Sequence, residues 1–143
     1  MKQFFNVEFA ADTIFLKLAT DVTVSICQLA GFSNSTAKDI SLAVDEAVTN
    51  TIKHAYHFDR RRRVTLQFTI TDTELTIDVR HNGIPISDTE IHLPDMEEYM
   101  KRYRKGGLGI VLMTRIMDSV AYGSVADIHY CRLVMKRGQS HAG

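Results

Sequence analysis

Val64-Thr65-Leu66-Gln67-Phe68-Thr69-Ile70-Thr71-Asp72-Thr73-Glu74-Leu75-Thr76-Ile77-Asp78-Val79 decides the fold. Val64, Leu66, Phe68 and Ile70 alternate with polar residues, Asp72-Thr73 supplies a turn, and Leu75, Ile77 and Val79 alternate again. A period of two places alternate side chains on opposite faces, so this stretch predicts an antiparallel hairpin with one apolar face. That face needs a cover, and the flanking sequence offers helices.

Upstream, Gln3 to Phe9 reads as a short strand, with Phe5, Val7 and Phe9 alternating. Ala11 to Leu29 reads as a helix with Ile14, Leu18, Val22 and Ile26 at four-residue steps, stopped by Gly31. Ser33 or Ser35 caps a second helix that runs to about Tyr56. On it Ile40, Ala43, Val44, Ala47, Val48 and Ala55 gather on one side, and Asp39, Glu46, Asn50, Lys53 and His57 on another. Downstream, the periodicity fails from His81 to Lys105, where both prolines, Pro85 and Pro94, fall. A third helix then opens at Gly106-Gly107-Leu108-Gly109, with Leu112, Met113, Ile116 and Met117 as its apolar face. Strands near Ser119 to Gly123 and Ile128 to Lys136 finish a domain spanning 1–137, and residues 138–143 read as a frayed tail. The expected architecture is an α/β (α+β) two-layer sandwich. Its sheet is mixed and largely antiparallel, covered on one face by about three helices.

The 143 residues carry seventeen Lys plus Arg against seventeen Asp plus Glu, with 45% apolar residues. This is the composition of one globular domain and excludes a disordered chain. Zero net charge argues against general capture of nucleic acid. Neutrality is nevertheless an average. Eight of the basic residues sit in two clusters, at 60–63 and 101–105, and five of the acidic ones lie between Asp88 and Glu98. No stretch approaches the roughly 18 consecutive apolar residues of a membrane span. Cys27 and Cys131 lack metal-ligand spacing and read as two reduced, buried thiols of a cytoplasmic protein.

Four constellations carry chemistry in principle. Glu46 and Asn50 are four apart on a helix and project side by side, a carboxylate next to an amide oxygen that suits a hard cation such as Mg²⁺. Gly106-Gly107-Leu108-Gly109, opening a helix, leaves backbone N–H groups free to meet a phosphate. In His81-Asn82-Gly83-Ile84-Pro85-Ile86, Gly83 marks positive φ or a close backbone approach. The basic clusters are ordinarily solvated, but either suits an acidic partner surface. His54 and His57 form a helical i, i+3 pair, yet a third zinc ligand is missing from the pattern. Met96, Met100, Met113 and Met117 read as packing residues.

In this order the pieces resemble the ATP-binding domain of the GHKL superfamily (the Bergerat fold), and more closely its bacterial branch of anti-sigma factor serine kinases. The likeness covers about Phe4 to Lys136. Ala43 to Asn50 with Lys53-His54-Ala55-Tyr56 looks like that branch's N-box helix, and Gly107-Leu108-Gly109-Ile110 with Met113 and Met117-Asp118 like its second glycine box. The resemblance implies ATP and Mg²⁺ as cofactors, Glu46 as catalytic base or water-positioner and Asn50 as metal ligand. It places His81, Gly83, Lys105, Gly106, Gly107, Leu108 and Gly109 around the nucleotide, and an ATP lid at roughly Ile86 to Lys105. It also implies a sigma factor and an anti-anti-sigma (STAS-type) protein as partners, homodimer formation, and no direct contact with nucleic acid or membrane.

Two departures from the family pattern concern the adenine side. The first glycine box has His81 where the family has an Asp that accepts from the adenine amino group, and Pro85 where it has a glycine. Near the last strand, Ile128-His129-Tyr130 replaces a common Gly-Thr. Losing one charge-assisted hydrogen bond costs about 1.5–3 kcal/mol, or roughly ten- to a hundredfold in affinity. Two functions therefore stand open: an ATP-dependent serine/threonine-protein kinase acting by partner switching, and a nucleotide-weak or inactive anti-sigma module of the same fold.

Overall fold

The computed structural model describes residues 2–86 and 108–138. Its strands are β1 (Gln3–Ala10), β2 (Arg63–Ile70), β3 (Glu74–His81), β4 (Ser119–Val125) and β5 (Ile128–Lys136). They form one sheet in the order β1-β2-β3-β5-β4. The sheet expected to be largely antiparallel is antiparallel at all four pairings among the described residues. The β2–β3 hairpin has the register its alternation demands: Leu66 faces Val79, Phe68 faces Ile77 and Ile70 faces Leu75.

Three helices, α1 (Leu16–Leu29), α2 (Asn34–Asn50) and α3 (Leu108–Ile116), complete the two-layer sandwich. The core lies between the layers. Val64, Leu66, Phe68, Leu75, Ile77, Val79 and Leu133 from the sheet meet Ile40, Ala43, Val44, Ala47 and Val48 from α2 and Met113 and Met117 from the α3 region. All of these are at most 4% exposed, so the apolar side read for α2 is a core face. Of the face read for α3, Met113 and Met117 are buried while Leu112 and Ile116 are only half-buried, and Val111 is buried as well. Asp78 and Arg132, directly opposite each other on β3 and β5, form a two-pronged ion pair of 2.8 and 3.0 Å. Cys27 and Cys131 are free and buried, and burial pushes both thiols up to about 12.

Helix boundaries follow local chemistry. The Ser33 hydroxyl caps α2 by accepting from the Thr36 N–H. Gly31, at φ +91°, ends α1: its N–H donates to the Gln28 carbonyl, and the Phe32 N–H donates to that of Cys27. Three expectations need correction. The helix from Ala11 starts instead as a 3₁₀ turn, Thr13–Phe15, capped by Asp12. The stripe Ile14–Leu18–Val22–Ile26 is not a continuous core face. Ile14 and Leu18 are 72% and 59% exposed, while Ala19, Thr23, Ile26 and Cys27 make the contact. The second helix does not stay α-helical to Tyr56. It widens into a π turn, Thr51–Ala55, and then turns left-handed at His57 (φ 49°) and Phe58 (φ 63°), so His54 and His57 are not a helical pair.

Phe68 is the largest fully buried side chain among the described residues. Phe68→Ala is expected to destabilise the protein by about 3–5 kcal/mol, read as a lower urea midpoint at unchanged m-value.

Candidate functional site

The last turns of α2 carry two of the predicted site residues, Glu46 and Asn50. Glu46 and Asn50 lie one helical turn apart, and the start of α3 comes up against them. Gly109 is buried there, and a Cβ on it would run into the Glu46 carboxylate. The carboxylate thus rests at the N-terminal end of α3, where free N–H groups favour negative charge. Burial, and next the Asp45 charge, raise the Glu46 carboxyl above its ordinary range, which suits a proton acceptor. The side chain of Asn50 is 6% exposed, and its amide nitrogen has no hydrogen-bond partner among the described residues. Buried polar groups are ordinarily satisfied, so an unpartnered amide N–H donor here fits a ligand that brings an acceptor, such as a phosphate oxygen, while any metal would have to be held by Oδ1. A hard cation carrying phosphates suits the set: one or two protein oxygens, with the remaining positions left to phosphate and water.

The opposite wall is the exit of β3. Gly83 has no positive φ; its requirement is close approach, because a Cβ would collide with the Ala55 carbonyl oxygen and the Tyr56 ring. The Ile84 N–H donates to that same carbonyl at 3.0 Å. His81 is buried at 5% exposure, edge-on to Tyr56 (5.7 Å between ring centroids) and 5.5 Å from the His129 ring. The Gly83 N–H donates to His81 Nδ1 at 3.2 Å. Burial first, then the His129 and Arg62 charges, lower the His81 pKa from 6.5 to about 4. The ring is therefore neutral, and with Nδ1 accepting, Nε2 carries the hydrogen. Where the family resemblance implies a carboxylate acceptor, this chain offers an N–H donor.

A clamp that sequence reasoning missed joins these walls. The Tyr56 hydroxyl donates to the Arg63 carbonyl at 2.7 Å and accepts from the Asn82 N–H at 2.9 Å. Arg62 lies over the Tyr56 ring at 4.8 Å and donates to the Asn82 carbonyl and side-chain oxygen. The signal available was Tyr56 falling four residues before the arginine run and Asn82 following His81.

The structure thus brings Glu46, Asn50 and Gly109 together on one face, and His81 and Gly83 together at the β3 exit. Leu108 begins α3, and its side chain is not described. Lys105, Gly106 and Gly107 lie outside the described residues, as do the lid stretch from 87, Met96, Met100 and the 101–105 cluster. Among the described residues no helix is long and apolar enough to cross a membrane.

A Bergerat-type sandwich with a carboxylate and a carboxamide on the helix facing a glycine-edged helix start is the architecture of a nucleotide-binding ATPase domain. Residues 9–134 match the histidine kinase-like ATPase domain, and the chain belongs to that family. Among relatives, it is 34% identical over 99 residues to the serine-protein kinase RsbW of Listeria monocytogenes, covering 66% of this chain and 63% of that one. It is 33% identical over 99 residues to the anti-sigma F factor of Clostridium perfringens, covering 69% and 70%. The matched stretch thus spans about two thirds of these relatives, and slightly less of the RsbW proteins. Among solved structures, the RsbU and RsbW domains of Rv1364c from Mycobacterium tuberculosis superpose with a TM-score of 0.66. Identity there is 14%, over 95% of this chain and 33% of that one. The SiaB-SiaC complex of Pseudomonas aeruginosa gives 0.60 at 10% identity, over 92% and 88%. Both likenesses establish the fold.

The depressed pKa of His81 has a thermodynamic consequence. Because its folded value lies below its unfolded one, the unfolded chain takes up the proton first. The stability this group contributes is complete above about pH 6.5 and is lost as pH falls toward about 4. Urea midpoints measured across that window are expected to fall with acidification, and His81→Gln is expected to remove about one proton from the uptake that accompanies unfolding.

Proposed function

We propose that this protein is a Mg–ATP-dependent protein serine kinase of the anti-sigma kind, which phosphorylates an anti-anti-sigma (STAS-type) protein and exchanges it for a sigma factor. The observation that carries this is the face on which the Glu46 carboxylate lies against Gly109 while the buried Asn50 amide nitrogen, a donor suited to a phosphate oxygen, has no partner among the described residues. The sequence relatives named serine-protein kinase and anti-sigma factor support it.

Phosphoryl transfer asks a protein mainly for positioning and charge compensation. In this reading Glu46 would take the hydroxyl proton of a substrate serine as its oxygen bonds to the γ-phosphorus and the bond to the ADP oxygen breaks. Its raised pKa makes that transfer easier near neutral pH. Asn50 would hold Mg²⁺, which when bound neutralises charge on the phosphate oxygens. Gly109, having no Cβ, lets the start of α3 come up against Glu46, and backbone N–H groups at that helix start would meet a phosphate. Gly106, Gly107, Leu108 and Lys105 belong to the same proposed cradle, and homodimer formation to the same family reading.

A second reading is a partner-binding module with little nucleotide affinity. The neutral, donor-bearing His81 favours it, as do Ile14, Leu18 and Leu29, which stand 59–77% exposed along the first helical segment and offer an apolar docking stripe.

Calorimetric titration with Mg–ATP separates the two. Wild type is expected to bind weakly, Asn50→Ala to lose binding, and His81→Asp to bind roughly ten- to a hundredfold tighter by restoring an acceptor. Absence of binding by wild type up to millimolar ATP, together with its appearance in His81→Asp, decides for the module.

A further inference from the structure

Three arginines of the basic run at 60–63 line a cavity of about 460 Å³ at one corner of the sheet, which also borders Tyr56, His81 and Asn82 at the β3 exit but none of Glu46, Asn50 and Gly109. Register explains how it is assembled. Glu8, Thr65 and Arg80 stand directly opposite one another on β1, β2 and β3. The neighbouring row, Val7–Leu66–Val79, points into the core, so the Glu8–Thr65–Arg80 row lies on the sheet face turned away from the helices. Arg61, Arg62 and Arg63 close over this floor as the chain enters β2.

Four guanidinium groups therefore face one carboxylate, Glu8, in a chain whose net charge is zero. Counting Asp59, which holds Arg61 at 3.0 Å, the corner still keeps two positive charges in excess. The arginines are steered by bonds that leave much of each group available. Arg62 uses Nη2 on Asn82, Arg80 uses Nη1 on Gln67, and Arg63 lies 3.6 Å from Glu8. Each guanidinium has five N–H donors, and these contacts occupy a minority of them. Fixing the side chains beforehand lowers the entropy that a ligand would otherwise have to remove.

We propose that this corner is a binding site for a phosphoryl group carried on a larger ligand, adjoining the β3 exit at His81 but distinct from the face formed by Glu46, Asn50 and Gly109. Several planar forks converging on one space match a tetrahedral dianion better than a single carboxylate, which would leave cationic charge uncompensated. The volume exceeds what a phosphate alone would fill, so the ligand extends beyond it. The Thr65 hydroxyl adds a neutral hydrogen-bonding group on the floor. Glu8 is the opposing element that holds affinity down.

The test is calorimetric titration of the whole chain at low salt with a phosphoserine peptide, its unphosphorylated twin, and free phosphoserine. Saturable binding of either phosphorylated probe, with none of the twin, is the expected result. Binding of free phosphoserine assigns the site to small phosphorylated molecules, and binding of the peptide alone assigns it to phosphorylated protein. Arg80→Gln is expected to weaken binding about tenfold or more, Glu8→Gln to tighten it severalfold, and Asn50→Ala to leave it unchanged. The opposite signs of the Arg80 and Glu8 variants cannot both arise from misfolding. Equal binding of the unphosphorylated twin, indifference to both charge variants, no binding by wild type at millimolar probe, or an equal loss in Asn50→Ala would each overturn the proposal.

Discussion

The Tyr56 hydroxyl is the point at which the two layers are locked. One O–H donates to the first residue of β2, and one lone pair accepts from the residue that follows β3. The ring itself is buried at the end of the π turn. A single side chain thus fixes three segments that are distant in sequence, and burial raises its pKa, so the hydroxyl stays protonated and able to donate. What lies to one side of it, Glu46, Asn50 and Gly109, depends on where α2 ends. What lies to the other, His81, Asn82 and the arginine corner, depends on where β3 lets go. Gly83 completes the lock, since only a residue without Cβ lets the β3 exit close on the Ala55 carbonyl.

Much of this was legible in the sequence because it is written in local periods. The alternation from Val64 to Val79 set the hairpin register, and the α2 face from Ile40 to Val48 marked the core side correctly. Ser33 and Gly31 marked helix ends through hydrogen bonds only a few residues long. The first helix was harder, because a four-residue apolar stripe says which residues share a side and not what covers that side. Ala19 and Thr23 are buried beside Ile26 and Cys27, and of the stripe itself only Ile26 is. The π turn and the two left-handed residues after it had no local signature either: His57 and Phe58 carry a Cβ yet adopt positive φ, and the Phe58 N–H donates back to the Ile52 carbonyl at 2.8 Å.

The candidate site divides along the same line. Spacing put Glu46 and Asn50 on one side of α2 and the glycine run marked a helix start, while their proposed roles came from the family resemblance. Their meeting is a long-range event that only the packing of α2 on α3 reveals. The row Glu8–Thr65–Arg80 draws one residue from each of three strands, so no window of sequence contains it. His81 is intermediate. Its identity announced a change from the family pattern, but the sense of that change depends on the Gly83 N–H occupying Nδ1, which fixes the tautomer.

The two cysteines, described above as core residues, have a practical consequence. Thiolate is the species that reacts with alkylating reagents, and at neutral pH a thiol pushed up to about 12 holds almost none of it. Both are also shut away from solvent. The native chain is thus chemically silent toward such reagents while folded. A single cysteine introduced at an exposed position such as Ser25 would become its one addressable handle, ready for a fluorophore or a spin label without first removing the two that nature put in the core.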